Sequence, residues 1–211
     1  MWKGVVMVTV RAARPEDAMA CAPMIYSAGP DVFNYFSGST DERVTFRFLE
    51  AAFSSNKGEF GYANHWVAEK DGVVLGVAAG YSLERKKAVE KGMLSFMISY
   101  FGFFGIWGAM FRGFMIESKL SPPGPGEFMI SHVGVAPEAR SQGVGGALFN
   151  RLFEEGRSAG MTSAVLDVAA TNPRAQALYE RLGFEVTHTV MEGAHSKHGG
   201  IISHYRMKKP L

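Results

Sequence analysis

The feature that most constrains this chain is a glycine-rich turn between a predicted strand and a predicted helix. The segment ARSQGVGGALFNRL, residues 139–152, places three glycines within four positions and continues as an apolar, helix-like run. The first amide groups of a helix have no partner inside it, and the helix dipole makes that end attractive to phosphate. Glycine also lets a bulky anion come close to the backbone. The segment therefore predicts a phosphate cradle, although close packing of the helix on a sheet would explain the same glycines.

The sequence pattern of this segment excludes two common phosphate-binding loops. A Walker loop needs Gly-Lys-Ser/Thr, which does not occur in the chain. A dinucleotide fingerprint needs Gly-x-Gly-x-x-Gly near the start of a βαβ unit. The run Gly143-Val144-Gly145-Gly146 has a different spacing and lies late in the chain, so it gives no support to a dinucleotide site.

Strand, turn and helix signals alternate along the chain and predict a mixed α/β protein. Two β-rich runs joined by Asp71-Gly72 indicate a hairpin over 65–82. The other predicted strands cover 5–13, 127–137, 162–171, 184–190 and 201–209. The predicted helices cover 15–28, 40–53, 141–160 and part of 172–184, and a loop is predicted over 27–40. The N-terminal run is interpreted as a strand rather than a signal peptide because charge and Pro15 follow it at once. Since strands and helices alternate in the second half, part of the sheet should be parallel.

Composition narrows the class of protein further. The chain has 211 residues, of which 47% are hydrophobic and 20% charged, which is typical of a soluble globular domain. A net charge of +2 without a long basic tract gives no indication of a nucleic-acid partner. The single Cys21 excludes an internal disulfide and a multi-cysteine zinc site, and we expect it to be a buried, apolar side chain in a cytoplasmic protein.

A second motif follows the glycine-rich turn. The segment NPRAQALYERLGF, from Asn172 to Phe184, fits the pattern Asn-x-x-Ala-x-x-x-Tyr-x-x-x-Gly-Phe. Together with VGVAPEARSQGVGGAL, which contains Arg140-x-x-Gly143-x-Gly145, it closely resembles the acyl-CoA-binding motifs of the GNAT family of N-acetyltransferases. The opening segment VTVRAARPEDA is similar to the first strand and helix start of that family. The resemblance covers nearly the whole chain except residues 82–126.

The resemblance implies a fold and an activity. The expected fold is a single GNAT-like domain over residues 1–211, an α/β (α+β type) protein with a mixed central sheet of about 6–7 strands flanked by helices, and with a helical insert at 82–126 between the third and fourth strands. The expected activity is acyl-CoA-dependent N-acyl transfer, most simply of acetyl from acetyl-CoA to a primary amine by direct attack in a ternary complex. A catalytically silent acyl-CoA-binding or regulatory module is the alternative.

The resemblance also assigns the residues that hold acetyl-CoA. The pyrophosphate would be held by the backbone amides of the turn after the strand, which consists of Arg140, Ser141, Gln142, Gly143, Val144, Gly145 and Gly146. The pantetheine arm would pair with the edge of the preceding strand at Val133, Gly134 and Val135. Asn172 and Tyr179 would flank the thioester sulfur. No metal is implied.

Acetyl transfer to an amine needs a general acid and a way to remove a proton. The leaving thiol has a pKa of about 8.5 and a tyrosine one of about 10, so Tyr179, which matches the family's acid position, is expected to protonate the thiolate. Asp167 interrupts the apolar strand VLDVAA and is the candidate for the base or the amine-binding group, with a structural hydrogen-bonded role as the alternative. Two further candidates for the base lie on the preceding strand, and both are more simply explained as structural residues. Glu127 should share a face with Val133 and Val135, and His132 should lie on the opposite face.

The segment between the third and fourth predicted strands has its own pattern. From Met93 to Phe111 there are 19 uncharged residues, close to the length of a membrane span. A single crossing would separate strands of one sheet, so we expect a core element or a lid over the acceptor, with a membrane surface or an apolar acceptor pocket left open. Gly102, Gly105 and Gly108 recur at every third position and predict one bare helix face for close packing.

The remaining expectations concern metals and partners. His195, His198 and His204 match no strong ligand spacing, so no metal is expected. By resemblance, the loop over 192–200 would lie beside the acceptor opening. The acceptor is expected to be a small-molecule or peptide amine, and the sequence leaves a homodimer open.

Overall fold

The computed structural model describes residues 7–211, and residues 1–6 lie outside the described part of the chain, including the start of the strand predicted over 5–13. Within residues 7–211 the chain forms seven α-helices and nine strands. The strands are β1 (Thr9–Ala12), β2 (His65–Lys70), β3 (Val73–Tyr81), β4 (Glu127–Val135), β5 (Ser163–Ala169), β6 (Glu185–Val190), β7 (His195–Ser196), β8 (Gly199–Gly200) and β9 (His204–Pro210).

Seven of these strands form one mixed sheet in the order β1-β2-β3-β4-β5-β9-β6. Neighbouring strands are antiparallel except β4 and β5, which are parallel. The short strands β7 and β8 pair with each other in a separate hairpin. The predicted mixed sheet of 6–7 strands, with its parallel portion in the second half of the chain, is therefore confirmed.

The helices are α1 (Ala18–Tyr26), α2 (Pro30–Ser37), α3 (Glu42–Ser55), α4 (Leu83–Glu90), α5 (Met93–Glu117), α6 (Val144–Ser158) and α7 (Pro173–Arg181). Asp41 caps α3, and its carboxylate accepts a hydrogen bond from the amide of Arg43, as a cap at this point predicts. The loop predicted over 27–40 is wrong, because α2 lies within it. Pro30 stands in the first turn of α2 and Gly38 ends it in a left-handed conformation, so these two residues mark the ends of a helix.

Helices cover both faces of the sheet. On one face α6 comes so close to β3 that a Cβ on Gly76 would lie 2.7 Å from Val144, so glycine is required there. On the other face α1 packs on β4, and a Cβ on Gly134 would collide with the backbone oxygen of Met24. Both faces of the central strands are therefore buried, which explains their apolar sequences.

The insert between the third and fourth strands is helical, as predicted, and consists of α4 and α5. Gly102 has φ 68° and ψ 170°, so α5 is two helical segments that meet at a kink. The prediction of one bare face through Gly102, Gly105 and Gly108 is therefore wrong, because the first of these glycines is not helical. The first segment packs on α3, where Phe48 lies 5.9 Å from Phe96 between ring centroids.

One face of α5 is folded onto the protein, and another is exposed. Ile106 and Ala109 are buried in the main core. The exposed face carries Phe103, Phe104, Trp107, Phe111 and Phe114, which are 63 to 90% exposed. By length and composition alone, Met93–Glu117 is one helix in the described part of the chain that is long and apolar enough to cross a membrane.

Candidate functional site

The site is built around a gap between the two parallel strands. β4 and β5 are paired at only three positions, the last of which joins Met129 to Val165. Beyond that pair the strands separate, as the resemblance implies. The backbone N–H and C=O groups at the free edge of β4 are thus available to an extended ligand, which can form the hydrogen bonds that a neighbouring strand would form.

A β-bulge in β4 lies at this gap. Gly134 pairs with Val77 and Ser131 with Ala79, so two residues of β4, His132 and Val133, face the single Ala78 of β3. Bulges of this kind redirect side chains and are frequent beside active sites. The extra residue reverses the alternation of faces along the rest of β4.

The bulge corrects one expectation about Glu127. Phe128 packs against α6, since a Cβ on Gly156 would lie 3.2 Å from its ring, and Val135 also faces α6, 3.9 Å from a Cβ placed on Gly145. Val135 therefore shares the face of Phe128, and Glu127 does not share a face with Val133 and Val135. The prediction failed because it assumed regular alternation through His132.

A cavity of about 810 Å³ runs through the gap. One end is bordered by Asn172, Ala175 and Tyr179 of the α7 region, and the middle by the separated parts of β4 and β5. The other end is a chamber enclosed by α2, α4 and α5 together with the loop before β2. The cavity thus connects the end expected to receive a thioester with a chamber large enough for an acceptor.

The predicted cradle lies just after β4. The helix starts at Val144 instead of Ser141, because Ser141 (φ 63°) and Gly143 (φ 88°) adopt left-handed conformations that bend the chain into a turn. The backbone amides of residues 141–146 donate to no acceptor in the described part of the chain. Successive free amides at the start of a helix form an anion-binding concavity.

The glycines of the cradle are not explained by packing. A Cβ on Gly146 would meet nothing within 4 Å, and one on Gly145 would make only ordinary contacts at 3.7 and 3.9 Å. The close approach of α6 to the sheet instead requires Gly76. The space above Gly146 is open, which fits a ligand that rests on the backbone and argues against the packing explanation.

Two arginines stand beside the cradle. The Arg140 Nε donates to the carbonyl of Val135 at 3.2 Å, and Arg174 Nη2 donates to the hydroxyl of Ser141 at 3.2 Å. The side-chain amide of Gln142 donates to the Glu138 carbonyl at 2.6 Å, which holds the turn. Sequence reasoning missed Arg174, because it occupies a variable position of the second motif and reaches the turn only in the folded chain.

Asn172 and Tyr179 border the cavity from α7. The Asn172 side chain caps α7 by accepting a hydrogen bond from the Ala175 amide at 3.1 Å. Tyr179 is 8% exposed and packs on Phe149, with 5.5 Å between ring centroids. Burial raises the pKa of Tyr179 to about 12, so its phenol stays protonated at neutral pH.

Asp167 and Arg206 form an ion pair between β5 and β9. Arg206 Nε lies 2.8 Å from Asp167 Oδ1, and both side chains are buried. Arg206 also donates to the carbonyl of Ser121. Burial raises the pKa of the Asp167 carboxyl, and the adjacent guanidinium opposes that shift. Asp167 borders the cavity as a carboxylate that already has a cationic partner.

The carboxylate of Glu127 also has a cationic partner. Lys208 Nζ lies 2.7 Å from one carboxylate oxygen of Glu127, and the Gly124 amide donates to the other at 2.8 Å. These contacts hold the pKa of Glu127 below its usual value, although burial acts in the opposite direction. Glu127 ties β4 to β9.

The chamber contains acidic groups that sequence reasoning missed. The Tyr81 hydroxyl donates to Glu59 Oε2 at 3.4 Å, and burial raises the pKa of Glu59. Lys86 Nζ lies 3.6 Å from Glu90 and 3.9 Å from Glu117. Glu59 forms no ion pair within residues 7–211, and the charge of Lys86 only partly opposes the rise in its pKa. Nothing local in the sequence marks Glu59, because the loop before β2 turns it inward only in the fold.

Two histidines, His65 and His132, lie next to the loop before β2, and His132 lines the cavity. His65 Nδ1 lies 2.9 Å from the Gly61 carbonyl, and His65 Nε2 lies 3.1 Å from His132 Nδ1. The planes of the two rings are nearly parallel, at 11°, and Phe60 stacks on His132 with 4.8 Å between centroids. Burial lowers the pKa of His65 to about 3 and that of His132 to about 4, so both are neutral near pH 7.

The other expectations concern Cys21 and metals. Cys21 is fully buried, and burial raises the pKa of its thiol to about 12, as expected for a small apolar side chain. No three His, Cys, Asp or Glu side chains between residues 7 and 211 cluster in a way that would hold a metal ion. His195 lies 3.6 Å from Glu192, and His204 is buried in β9.

Comparison with known proteins identifies the family. The model of the acetyltransferase (GNAT) family matches residues 31–184, which is well over half of the chain. Over 58 residues the chain is 40% identical to the ribosomal protein bS18-alanine N-acetyltransferase of Escherichia coli K12, a match that spans 28% of this chain and 39% of that relative.

Solved structures share the fold. An N-acetyltransferase from Staphylococcus aureus Mu50 superimposes with a TM-score of 0.67 at 19% identity, covering 95% of this chain and 100% of the other. The protein yncA from Salmonella typhimurium, solved with its cofactor acetyl-CoA, superimposes with a TM-score of 0.54 at 20% identity, covering 98% and 95%. With the motifs, the separated strands and the family match taken together, the chain belongs to the acetyltransferase (GNAT) family.

Proposed function

We propose that this protein is an N-acetyltransferase that transfers the acetyl group of acetyl-CoA to a primary amine by direct attack in a ternary complex. The observation that carries the proposal is the cradle: free backbone amides over residues 141–146 beside open space at Gly146. Family membership supports the same donor. A silent acyl-CoA-binding module would share the cradle, so the experiment below separates the two.

The residues around the gap fit the parts of acetyl-CoA. The amides of 141–146 suit a pyrophosphate, and Arg140 and Arg174 add positive charge beside it. The free edge of β4 at Val133 and Val135 suits the amide groups of a pantetheine arm. Acetyl-CoA supplies a thioester carbonyl that an amine can attack, and Asn172 would flank the sulfur.

Tyr179 is the proposed general acid. When the amine nitrogen bonds to the carbonyl carbon, the C–S bond breaks and the sulfur leaves as a thiolate. The Tyr179 hydroxyl makes no hydrogen bond to another described residue and borders the cavity, so it can give its proton to the sulfur. The raised pKa of Tyr179 keeps that proton in place until the thiolate forms.

Asp167 is proposed to bind the amine. Its carboxylate borders the cavity on the side of the chamber and draws an ammonium group toward the gap. The ion pair with Arg206 favours the carboxylate form, because protonation of Asp167 would leave a buried guanidinium without its charge partner.

The chamber indicates the kind of acceptor. Glu59 and Glu117 place two acidic side chains in the chamber with the single cationic Lys86, while Met93, Met97 and other side chains of α5 give it apolar walls. An amine that is cationic before reaction and carries an apolar body, free or within a peptide, suits such a chamber. The E. coli relative acts on a ribosomal protein, which makes a peptide amine one form to test.

The test is release of the coenzyme A thiol with a panel of amines, together with mass spectrometry of each acceptor. The proposal predicts thiol release that depends on the amine and one added acetyl group on the product. Binding of acetyl-CoA without transfer to any polyamine, arylalkylamine, lysine or peptide N-terminus would favour the silent module.

A further inference from the structure

We propose that His132 accepts the proton of the attacking amine, and that His65 is the positioning residue that presents His132 in the required tautomer. This inference rests on the proposed function and deepens it. It starts from the hydrogen-bond chain that joins the Gly61 carbonyl, His65 and His132.

The chain of hydrogen bonds fixes both tautomers. A carbonyl oxygen only accepts, so the Gly61 oxygen, 2.9 Å from His65 Nδ1, requires the hydrogen on that nitrogen. The neutral His65 ring then has a bare Nε2, which must accept from His132 Nδ1 at 3.1 Å. His132 therefore carries its hydrogen on Nδ1, and its Nε2 holds a free lone pair.

The free nitrogen belongs to a residue that borders the reaction cavity. His132 lines the cavity at the point where β4 leaves β5, and its Nε2 makes no hydrogen bond to any residue between 7 and 211. Phe60 stacks on the ring, and His65 holds its Nδ1 edge. The ring is thus held on two sides while the basic nitrogen stays unused.

The backbone at His132 is held in an unfavourable conformation. Its φ is 54°, in the left-handed region that residues other than glycine rarely adopt. The same residue forms the bulge. Such strain persists where the surrounding structure imposes it, and it concentrates at functional sites. A histidine that only filled the core would not need this placement.

The other polar groups considered for the base are already engaged. Asp167 is paired with Arg206 at 2.8 Å, and Glu127 with Lys208 at 2.7 Å. His132 carries no opposing charge, and burial keeps its ring neutral near pH 7. Its Nε2 lone pair is therefore free near pH 7, and the same burial, which disfavours the imidazolium, favours the onward release of a proton that it accepts.

His132 and Tyr179 together account for the protons that move during the transfer. The bound ammonium group first gives one proton to bulk water. As the resulting neutral amine bonds to the carbonyl carbon, its nitrogen becomes positively charged, and His132 Nε2 takes one of its hydrogens. The imidazolium keeps its Nδ1 hydrogen on His65. The C–S bond breaks, Tyr179 protonates the sulfur, and the proton on His132 then returns to the Tyr179 phenolate through water, so that amine and thioester give amide and thiol.

The first test reads the tautomer directly in the full chain, without activity. Nitrogen-15 NMR of labelled protein should show a protonated Nδ1 and a bare Nε2 on both His65 and His132. In His65→Phe the His132 signals should change to the opposite tautomer or to a mixture. A protonated Nε2 on His132 in the wild type would overturn the proposal.

The second test measures turnover with an amine found to be a substrate. His132→Asn is the variant, because asparagine tolerates the left-handed backbone but is not a base. We expect kcat to fall by about 10²-fold or more with KM for acetyl-CoA little changed, and His65→Phe to give a smaller fall. The matched control is His188→Gln on exposed β6, which should keep its kcat.

The outcomes separate this inference from the function on which it rests. Wild-type protein that transfers acetyl groups while folded His132→Asn keeps kcat within about twofold overturns the inference alone. Wild-type protein that acetylates no amine overturns the proposed function, and the inference with it. Circular dichroism and thermal unfolding of each variant confirm that a fall in kcat is not a loss of fold.

Discussion

Met129 of β4 and Val165 of β5 are the last paired residues of the only parallel pair of strands in the described sheet. Beyond them β4 bulges at His132 and the strands separate. The gap connects the end beside Tyr179 and α7 with a chamber beneath α5 that contains acidic side chains. In the proposed function, this relationship between two strands places the donor next to the acceptor.

Gly146→Glu should weaken the binding of acetyl-CoA without harming the fold. A carboxylate near the start of a helix is favourable for the protein, and nothing lies within 4 Å of the Cβ position. It would repel a pyrophosphate, so we expect affinity to fall by at least about tenfold in calorimetry. The control Ser158→Glu adds the same charge at the far end of α6 and should bind normally. Equal affinity in both variants would contradict the cradle.

Tyr179→Phe should lose turnover and keep its structure. The phenyl ring retains the contact with Phe149, so acetyl-CoA affinity and thermal stability should be nearly unchanged, while kcat falls by about 10²-fold. Because burial raises the pKa of Tyr179 to about 12, its ionisation should cause no alkaline decline in rate below about pH 11. Tyr205→Phe, on β9, is the control. A kcat within about twofold of the wild type would rule out Tyr179 as the acid.

The buried histidines should make the protein sensitive to mild acid. Burial lowers the pKa of His65 to about 3 and of His132 to about 4, from 6.5 in the unfolded chain. The unfolded state therefore binds more protons, so this stability is complete above pH 6.5 and is lost as pH falls toward 4. At pH 5 each histidine should contribute a loss on the order of 2 kcal/mol.

Urea unfolding at pH 7 and pH 5 measures this loss. The decrease in the free energy of unfolding between these two values should be smaller by about half of the histidine contribution in His132→Asn. An identical decrease in wild type and variant would show that His132 is not buried as a neutral ring.

Breaking the Asp167–Arg206 pair should be costly. In Asp167→Asn the Arg206 guanidinium, 7% exposed, loses its charge partner, and we expect the free energy of unfolding to fall by about 3 kcal/mol in urea titration. The double variant Asp167→Leu/Arg206→Met should recover most of this loss, because no uncompensated charge remains. A loss below about 1 kcal/mol in Asp167→Asn would instead match an exposed pair.

Local signals in the sequence predicted much of the fold. The Asp71-Gly72 turn, the cap at Asp41 and the cradle from Ser141 to Gly146 each depend on residues close together in the chain, and the structure has the hairpin, the helix start and the turn at these places. Pro30 and Gly38 were misleading, because the residues that break a helix also mark its ends.

Contacts between distant segments were beyond such reasoning. The bulge at His132 depends on the register with β3, and the link from His132 to His65 spans 67 residues. Arg174 meets Ser141 across 33 residues, and Glu59 lines a chamber whose other walls include helices of the insert. Neither spacing nor periodicity encodes these pairings.

The central claim is that the turn after β4 binds acetyl-CoA for transfer. The most direct measurement is a calorimetric titration of the purified protein with acetyl-CoA, with ATP and NADH as controls. The account predicts binding in the micromolar range for acetyl-CoA and at least about tenfold weaker binding for both controls. No binding of acetyl-CoA, or equal binding of all three, would contradict it.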